Sequence, residues 1–389
     1  MTFITHSDLI NIRYMILRFF LFTLILYSTA PFSFSQDEIK NYLDGANVTA
    51  ITSEPGYIWV ATYGQGIYRY SLEDDEWENF STREGNLKND LFFNIAVSKD
   101  YVWAGAAEGL FIYNKKKDIW TNKKFAFGGE MGNWIRALCY DPAQNVLWIG
   151  RFKNLTRLDV RRQRFTDYDK TIKGDTKTNN FTSIALDGDS LVWFGTEGGV
   201  HKYYKHRNIK SNSAWDFYNN KNGKFLEEGS FVSVSDVMFD NKYVWFATDE
   251  FITKEQPEFN LGGIYVFDRN RRWLRISKKD GLPANGIYCL ERTGNTIWAS
   301  VYQFSRDDRA EYGHGIALIN RITGNVKDLD LDKANIKTPT ILSLYFDGTD
   351  IWIGTDNGLF RVRIDNPLAH WSGTKKPKKE EKPAVRKRK

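Results

Sequence analysis

Between residues 37 and 371 the apolar positions fall in short runs broken by Gly, Asn and Asp, with no stretch of helical periodicity. The dominant pattern is a tryptophan that recurs at Trp59, Trp103, Trp148, Trp193, Trp245, Trp298 and Trp352, at spacings of 44, 45, 45, 52, 53 and 54 residues. An aliphatic residue precedes each one. A small residue always follows two positions later: Ala61, Gly105, Gly150, Gly195, Ala247, Ser300 and Gly354. A turn then leads to Gly plus a branched aliphatic residue in six units, such as Gly66-Ile67 and Gly358-Leu359, while Asn154-Leu155 fills that place in the third. Asn is the ordinary substitute for Gly where φ must be positive. Each unit reads as four strands: an inner run such as Ile135–Tyr140, the Trp strand, the Gly-aliphatic strand, and an outer strand marked by Trp77, Trp120, Phe165, Trp215 or Trp273.

Four strands per unit, repeated without helices, predict an all-β fold, a seven-bladed β-propeller of four-stranded antiparallel blades. The small residue has a physical cause in that architecture, because neighbouring blades converge toward the axis and a large side chain there would collide with the next blade. The tryptophan packs between sheets, where a broad ring buries roughly 150–250 Å². An unclosed ring leaves exposed strand edges. Ile39-Lys40-Asn41-Tyr42 matches Trp77-Glu78-Asn79-Phe80 in pattern, so the N-terminal segment is expected to supply the outer strand of the last blade, with Leu368–Trp371 as the competitor.

Composition changes this picture only at the ends. The net charge of +6 conceals a tail, residues 373–389, that carries nine Lys/Arg and two Glu. With +7 there and +1 in residues 1–35, the body carries −2, so nothing in it suggests a nucleic-acid-binding domain. The apolar run Phe19–Tyr27 behind Arg18, followed by Ser33-Phe34-Ser35, reads as a signal peptide spanning 1–35, with Met15 as an alternative start. The run is short of the roughly 20 residues that span a bilayer. The expected location is periplasmic or secreted, with residues 37–371 as the propeller and 373–389 as a solvated basic tail that could attract an anionic envelope surface. Cys139 and Cys289 are too few for a disulfide scaffold and fall in inner strands of blades three and six, so they are expected to be buried and unpaired. No metal or other cofactor is expected from five scattered histidines.

The stretch Gly281-Leu282-Pro283-Ala284-Asn285 ahead of Ile297-Trp298, and above all Ile351-Trp352-Ile353-Gly354-Thr355-Asp356-Asn357-Gly358-Leu359-Phe360-Arg361, resembles the repeat of two-component regulator propellers. The resemblance covers about 37–365. It implies a seven-bladed propeller of the kind that forms extracytoplasmic sensor parts of hybrid histidine kinases, some of them thought to recognise glycans. No kinase segment follows blade seven in this sequence, so a standalone propeller is expected. Only Trp193-Phe194-Gly195-Thr196-Glu197 is similar to the more distant repeat of virginiamycin B lyase, too little to transfer catalytic residues.

The hairpin between second and third strands takes six or seven residues from Trp to Gly in five blades, but 18 in blade five and 17 in blade six. The additions, around Asp249–Leu261 and Tyr302–His314, are expected to form a shared wall of exposed loops beside the channel mouth. Their candidate ligand-binding residues are Glu250, Phe251, Tyr302, Phe304, Arg306, Asp307, Asp308 and His314, since aromatic faces beside Arg and carboxylates suit a sugar or a polar peptide. The spacing of Asp307, Asp308 and Glu311 matches no EF-hand loop. The position three after each tryptophan is expected to face the mouth. It is Thr62, Thr196, Thr248 and Thr355 in four blades, and Arg151, beside Phe152, breaks the repeat as a candidate anion site, with an ion pair as the other reading. The reading reached is a monomeric, non-enzymatic binding or sensor-type module for a glycan or a partner protein. The alternatives are a lyase or hydrolase using His314, Glu250 and Arg151, or a structural envelope protein.

Overall fold

A computed structural model describes residues 39–126 and 129–364. The segment 1–35 expected to be a signal peptide, Leu368–Trp371 and the basic stretch 373–389 lie outside the described residues. Among the described residues twenty-eight strands form seven four-stranded antiparallel sheets. Six blades run in sequence order from inner to outer strand. The seventh takes Ile341–Phe346, Asp350–Thr355 and Gly358–Arg363 from the end of the chain and Ile39–Tyr42 from its start, with Ile39 opposite Val362 and Tyr42 opposite Leu359. The N-terminal segment therefore closes the ring. Helical turns among the described residues are 3₁₀ segments of three or four residues.

The repeated positions do the work their chemistry predicts. Six of the seven tryptophans are 0–1% exposed and Trp245 is 3%. Five of them donate the indole N–H to a side chain in the preceding turn: Trp59 to Glu54, Trp193 to Asp187, Trp245 to Asp240, Trp298 to Thr293 and Trp352 to Asp347. The glycines two positions on are required by the next blade. A Cβ on Gly105 would sit 2.7 Å from Ile135 of blade three, one on Gly150 2.8 Å from Phe181 of blade four, and one on Gly354 2.5 Å from Val48 of blade one. The hairpin residue has φ of 77° at Gly66, 73° at Asn154 and 119° at Gly358, which explains both the glycines and the single Asn.

Side chains near the axis stitch the inner strands together. Thr49 donates its hydroxyl to Phe92 O (2.8 Å), the Asn94 amide donates to Ile135 O (3.1 Å), and Thr182, Ser235 and Ser300 donate to Val234 O, Ile287 O and Ile341 O. Ser343 donates to Val48 O at 3.3 Å, so blade seven bonds blade one by the same device. Inner strands of six blades carry a bulge near their start, for example between Ile135 and Ala137 and between Val234 and Asp236, which turns one residue, or two in blade six, out of the ladder.

Candidate functional site

Both the hairpins between second and third strands and the connections between blades lie at the end where inner strands begin, so this face gathers residues from every blade. The blade-five and blade-six additions are loops only at their tips, residues 252–259 and 305–310, because the flanking strands run on into them. Second strands have six residues in five blades, but Val244–Phe251 has eight and Thr296–Phe304 nine, paired with Asn260–Phe267 and Glu311–Asn320. The two prolonged hairpins lock together into one wall. Phe251 packs on Phe304 at 4.7 Å, Glu250 accepts from Phe304 N at 3.0 Å and from the Asn285 amide at 3.3 Å, and Lys254 pairs with Asp307 at 3.3 Å.

Several expected side chains are therefore scaffold rather than exposed surface. Tyr302 and Phe304 are 1% and 5% exposed, because alternation along Thr296–Phe304 turns them inward. The Tyr302 ring stacks on Tyr288 at 4.2 Å and lies so close to Gly286 that a Cβ there would meet it at 2.5 Å. Its hydroxyl donates to Asp249 at 3.2 Å. Glu250 is buried between its two donors. Arg151 is fully buried, paired with Asp167 of its own blade at 3.0 Å, donating to Gly132 O at 2.8 Å and lying 4.5 Å from the Phe125 ring, so it does not open on the mouth. Phe251, Arg306, Asp307, Asp308 and His314 are exposed, with Asp308 accepting from the Tyr312 hydroxyl. His314 lies near Asp328 of the outer strand. The threonines three after the tryptophan do not face the mouth either. They are buried and donate to the hairpin carbonyls, Thr62 to Gly66 O at 2.7 Å and Thr355 to Gly358 O at 2.9 Å. Cys139 and Cys289 are free and half-buried rather than fully enclosed, and burial pushes the Cys139 thiol up to about 12. His201 is buried against Thr178 O at 2.8 Å and held down to about 3 by that burial, so it is neutral.

One position further on, four after each tryptophan, stand Tyr63, Ala107 and Asp356, which are exposed, Phe152, Glu197 and Asp249, which are half-buried, and Tyr302, which is buried. The bulged inner-strand residues Arg136 and Tyr288 join them. Arg136 pairs with Glu197 at 2.5 Å, and Asn180 donates to the same carboxylate at 3.0 Å. Burial pushes Glu197 up, but these partners outweigh it and hold the carboxyl below its ordinary value. The Tyr288 hydroxyl donates to Glu311 at 2.8 Å, Ser233 donates to Asp249 at 2.6 Å, and Thr338 donates to Asp356 at 2.6 Å. Burial, reinforced by Glu311, pushes Asp249 up to about 6.

On the opposite side, an aromatic row crosses blades one to three. Tyr63 lies 5.6 Å from Phe93, Phe93 5.7 Å from Trp134, and Trp134 5.6 Å from Phe152 with ring planes 4° apart. The Arg136 guanidinium lies 5.7 Å and 5.6 Å from the last two rings. Phe152 was legible as a candidate. The rest of the row was not, although an aromatic one or two residues before an inner strand (Phe93, Trp134) was there to be seen. Among the described residues no group of three or more His, Cys, Asp and Glu forms a metal cage, and no helix is long and apolar enough to cross a membrane.

This assembly defines a seven-bladed propeller with a structured mouth. No family model matches the chain. A histidine kinase from Formosa agariphila is 26% identical over 230 residues, 57% of this chain and 16% of the kinase. The extracellular domain of a protein from B. thetaiotaomicron, described as a one-component or a hybrid two-component system, superposes with a TM-score of 0.62 at 19% identity, covering 85% of this chain and 40% of that one. PorZ, a surface component of the type-IX secretion system of Porphyromonas gingivalis, gives 0.56 at 13% identity over 80% of this chain and 46% of that one. The chain thus spans about a sixth of the kinase and two-fifths of the first solved neighbour. At these identities the solved structures establish the fold.

Proposed function

We propose that the chain is an exported binding or sensor-type propeller that recognises a glycan or a partner protein at the mouth between the blade-five and blade-six wall and the aromatic row. The observation that carries this is the concentration of departures from the repeat on one face: two prolonged, interlocked hairpins, an Arg136–Glu197 pair and a half-exposed row of rings. Similarity to part of a histidine kinase and to extracellular domains supports an extracytoplasmic sensing role, with the leader removed and the basic tail free to meet an anionic surface. The lyase or hydrolase alternative is the less favoured reading, since Glu250 and Arg151 are engaged by partners inside the fold. The test is a glycan array and a peptide screen on the mature protein, repeated with Arg136→Ala. Loss of about tenfold or more in affinity, equivalent to about 1.4 kcal/mol, places recognition at the mouth. Undiminished binding moves it to another face.

A further inference from the structure

The two sides of the mouth differ in what they can hold. Tyr63, Leu91 and Met131 are 47%, 42% and 45% exposed and flank half-buried Phe93, Trp134 and Phe152, an apolar surface that a monomer rarely leaves open without use. A pyranose stacks on an open aromatic face. Here Trp134 and Phe152 cover one another and share Arg136, while Tyr63, Phe93 and Trp134 are tilted 44° and 47° along the row, so ring faces are taken up by neighbours. Ridges of ring edges with furrows between them suit aliphatic and prolyl side chains, and the row, about 17 Å along the ring centroids, matches about five residues of an extended polyproline-type segment at 3.1 Å each. Across the channel the sign of the surface changes. Asp249, Glu311 and Asp356 all act on the Tyr288 phenol, and Arg136, itself paired to Glu197, is the base that acts on Asp249.

We infer that the mouth takes an extended segment of a partner polypeptide, its aliphatic or prolyl side chains lying on the Tyr63–Phe93–Trp134–Phe152 row and a lysine or arginine beyond them reaching Glu311 and Asp356. This rests on the binding-module reading and chooses the polypeptide over the glycan. Charge complementarity fixes the direction, apolar on blades one to three and basic over blades five to seven. Asp356 is exposed, and Glu311 stands on the exposed edge of the blade-six hairpin, so a cation meets both without unfolding anything.

The experiment is selection of a displayed random dodecapeptide library against the mature chain, with a glycan array run in parallel. The expected peptides combine Pro or aliphatic residues with Lys or Arg several positions away. A synthetic copy should bind at least tenfold more weakly to Tyr63→Ser and to Phe93→Ser, several-fold more weakly to Glu311→Gln and Asp356→Asn, and unchanged to Ile322→Ser, a 70% exposed residue in the turn between the third and outer strands of blade six on the opposite face, with melting curves confirming that each variant folds. The salt dependence of binding should flatten in the two acidic variants. No enriched peptide, peptides lacking a base, or affinity that survives Tyr63→Ser overturns the inference. A glycan bound instead, with affinity lost in Arg136→Ala, overturns it while leaving the binding-module reading intact.

Discussion

Blades one to three and blades five and six meet the same mouth with opposite construction. The first group keeps short hairpins, closed in blade one by the buried Thr62 hydroxyl, and leaves aromatic rings half-open at the surface. The second extends its hairpins by several residues and turns Tyr302 and Phe304 inward, Tyr302 against Tyr288 and Phe304 against Phe251, while Phe251 and Tyr312 stay exposed. A long insertion is thus no guide to where a ligand is touched. The extra chain has to bury something to stand upright, and Tyr302 and Phe304 supply that. The low side carries no such demand, so its rings are free for contact. Polar groups divide the same way. Carboxyls raised by burial, Asp236 and Asp249 to about 6 and Glu291 to about 7, all belong to blades five and six.

Tyr302→Ala tests the contrast most severely. It removes a buried ring, the stack on Tyr288 and the hydrogen bonds to Asp249 and from Glu250 N. Large-to-small changes of this kind cost about 3–5 kcal/mol. Urea denaturation should show that loss, and a variant within about 0.5 kcal/mol of the parent would mean that the wall is a surface loop after all.

Titration separates the two sides next. The folded-state values of Asp236, Asp249 and Glu291 lie above their ordinary 3.8 and 4.5, chiefly through burial. In the unfolded chain these groups ionise first, so their stabilising contribution is complete below about pH 4 and is lost as pH rises through 6 to 7. The loss is roughly 3 kcal/mol per group, since each value stands about two units above its ordinary one. Amide exchange, corrected for its intrinsic pH dependence, should therefore quicken in blades five and six between pH 5 and pH 8 and hold steady in blades one to three. Equal change on both sides would remove the carboxyls as its cause.

How much of this was legible in the sequence follows from register. The tryptophan, the small residue two places on and the glycine of the hairpin are fixed by contacts repeated seven times, so the fold and even the single Asn154 were readable. The mouth was misread by one residue. Strand side chains alternate, so a shift of one exchanges faces. The position three after each tryptophan points inward, and Thr62 closes its hairpin there, whereas Tyr63, Phe152 and Glu197 stand at the next. The alternation Tyr302-Gln303-Phe304 was itself a strand signal inside what looked like a loop. Arg136 and Tyr288 reach the mouth only because a bulge turns them there, and no single-sequence pattern marks a bulge.

A smaller effect checks the hairpin chemistry of the low side. Thr62→Val keeps the shape of the side chain and deletes the donation to Gly66 O, while its hydroxyl also accepts from Gln65 N. The expected loss is about 1 kcal/mol, the usual net value of an internal hydrogen bond. Thermal melts of Thr62→Val and Thr355→Val should move together, since Thr355 bonds Gly358 O in the same way. A silent Thr62→Val beside a destabilised Thr355→Val would mean that blade one closes by other means.

Tyr63→Ser should be the least consequential change for stability and the most informative for the comparison. Its ring is 47% exposed, contacts Phe93 at 5.6 Å and supports no buried hydrogen bond of its side chain among those described. The backbone bond from Tyr63 N to Asn47 O (2.8 Å) is untouched by the substitution. Exposed positions without such partners stay within about 0.5 kcal/mol. The expected outcome is a denaturation midpoint indistinguishable from the parent, in contrast to Tyr302→Ala on a residue of the same type at the same position of the repeat. If Tyr63→Ser instead destabilised the fold by 2 kcal/mol or more, the row would be a structural brace like the wall opposite, and the distinction between a side built for standing and a side built for contact would fail.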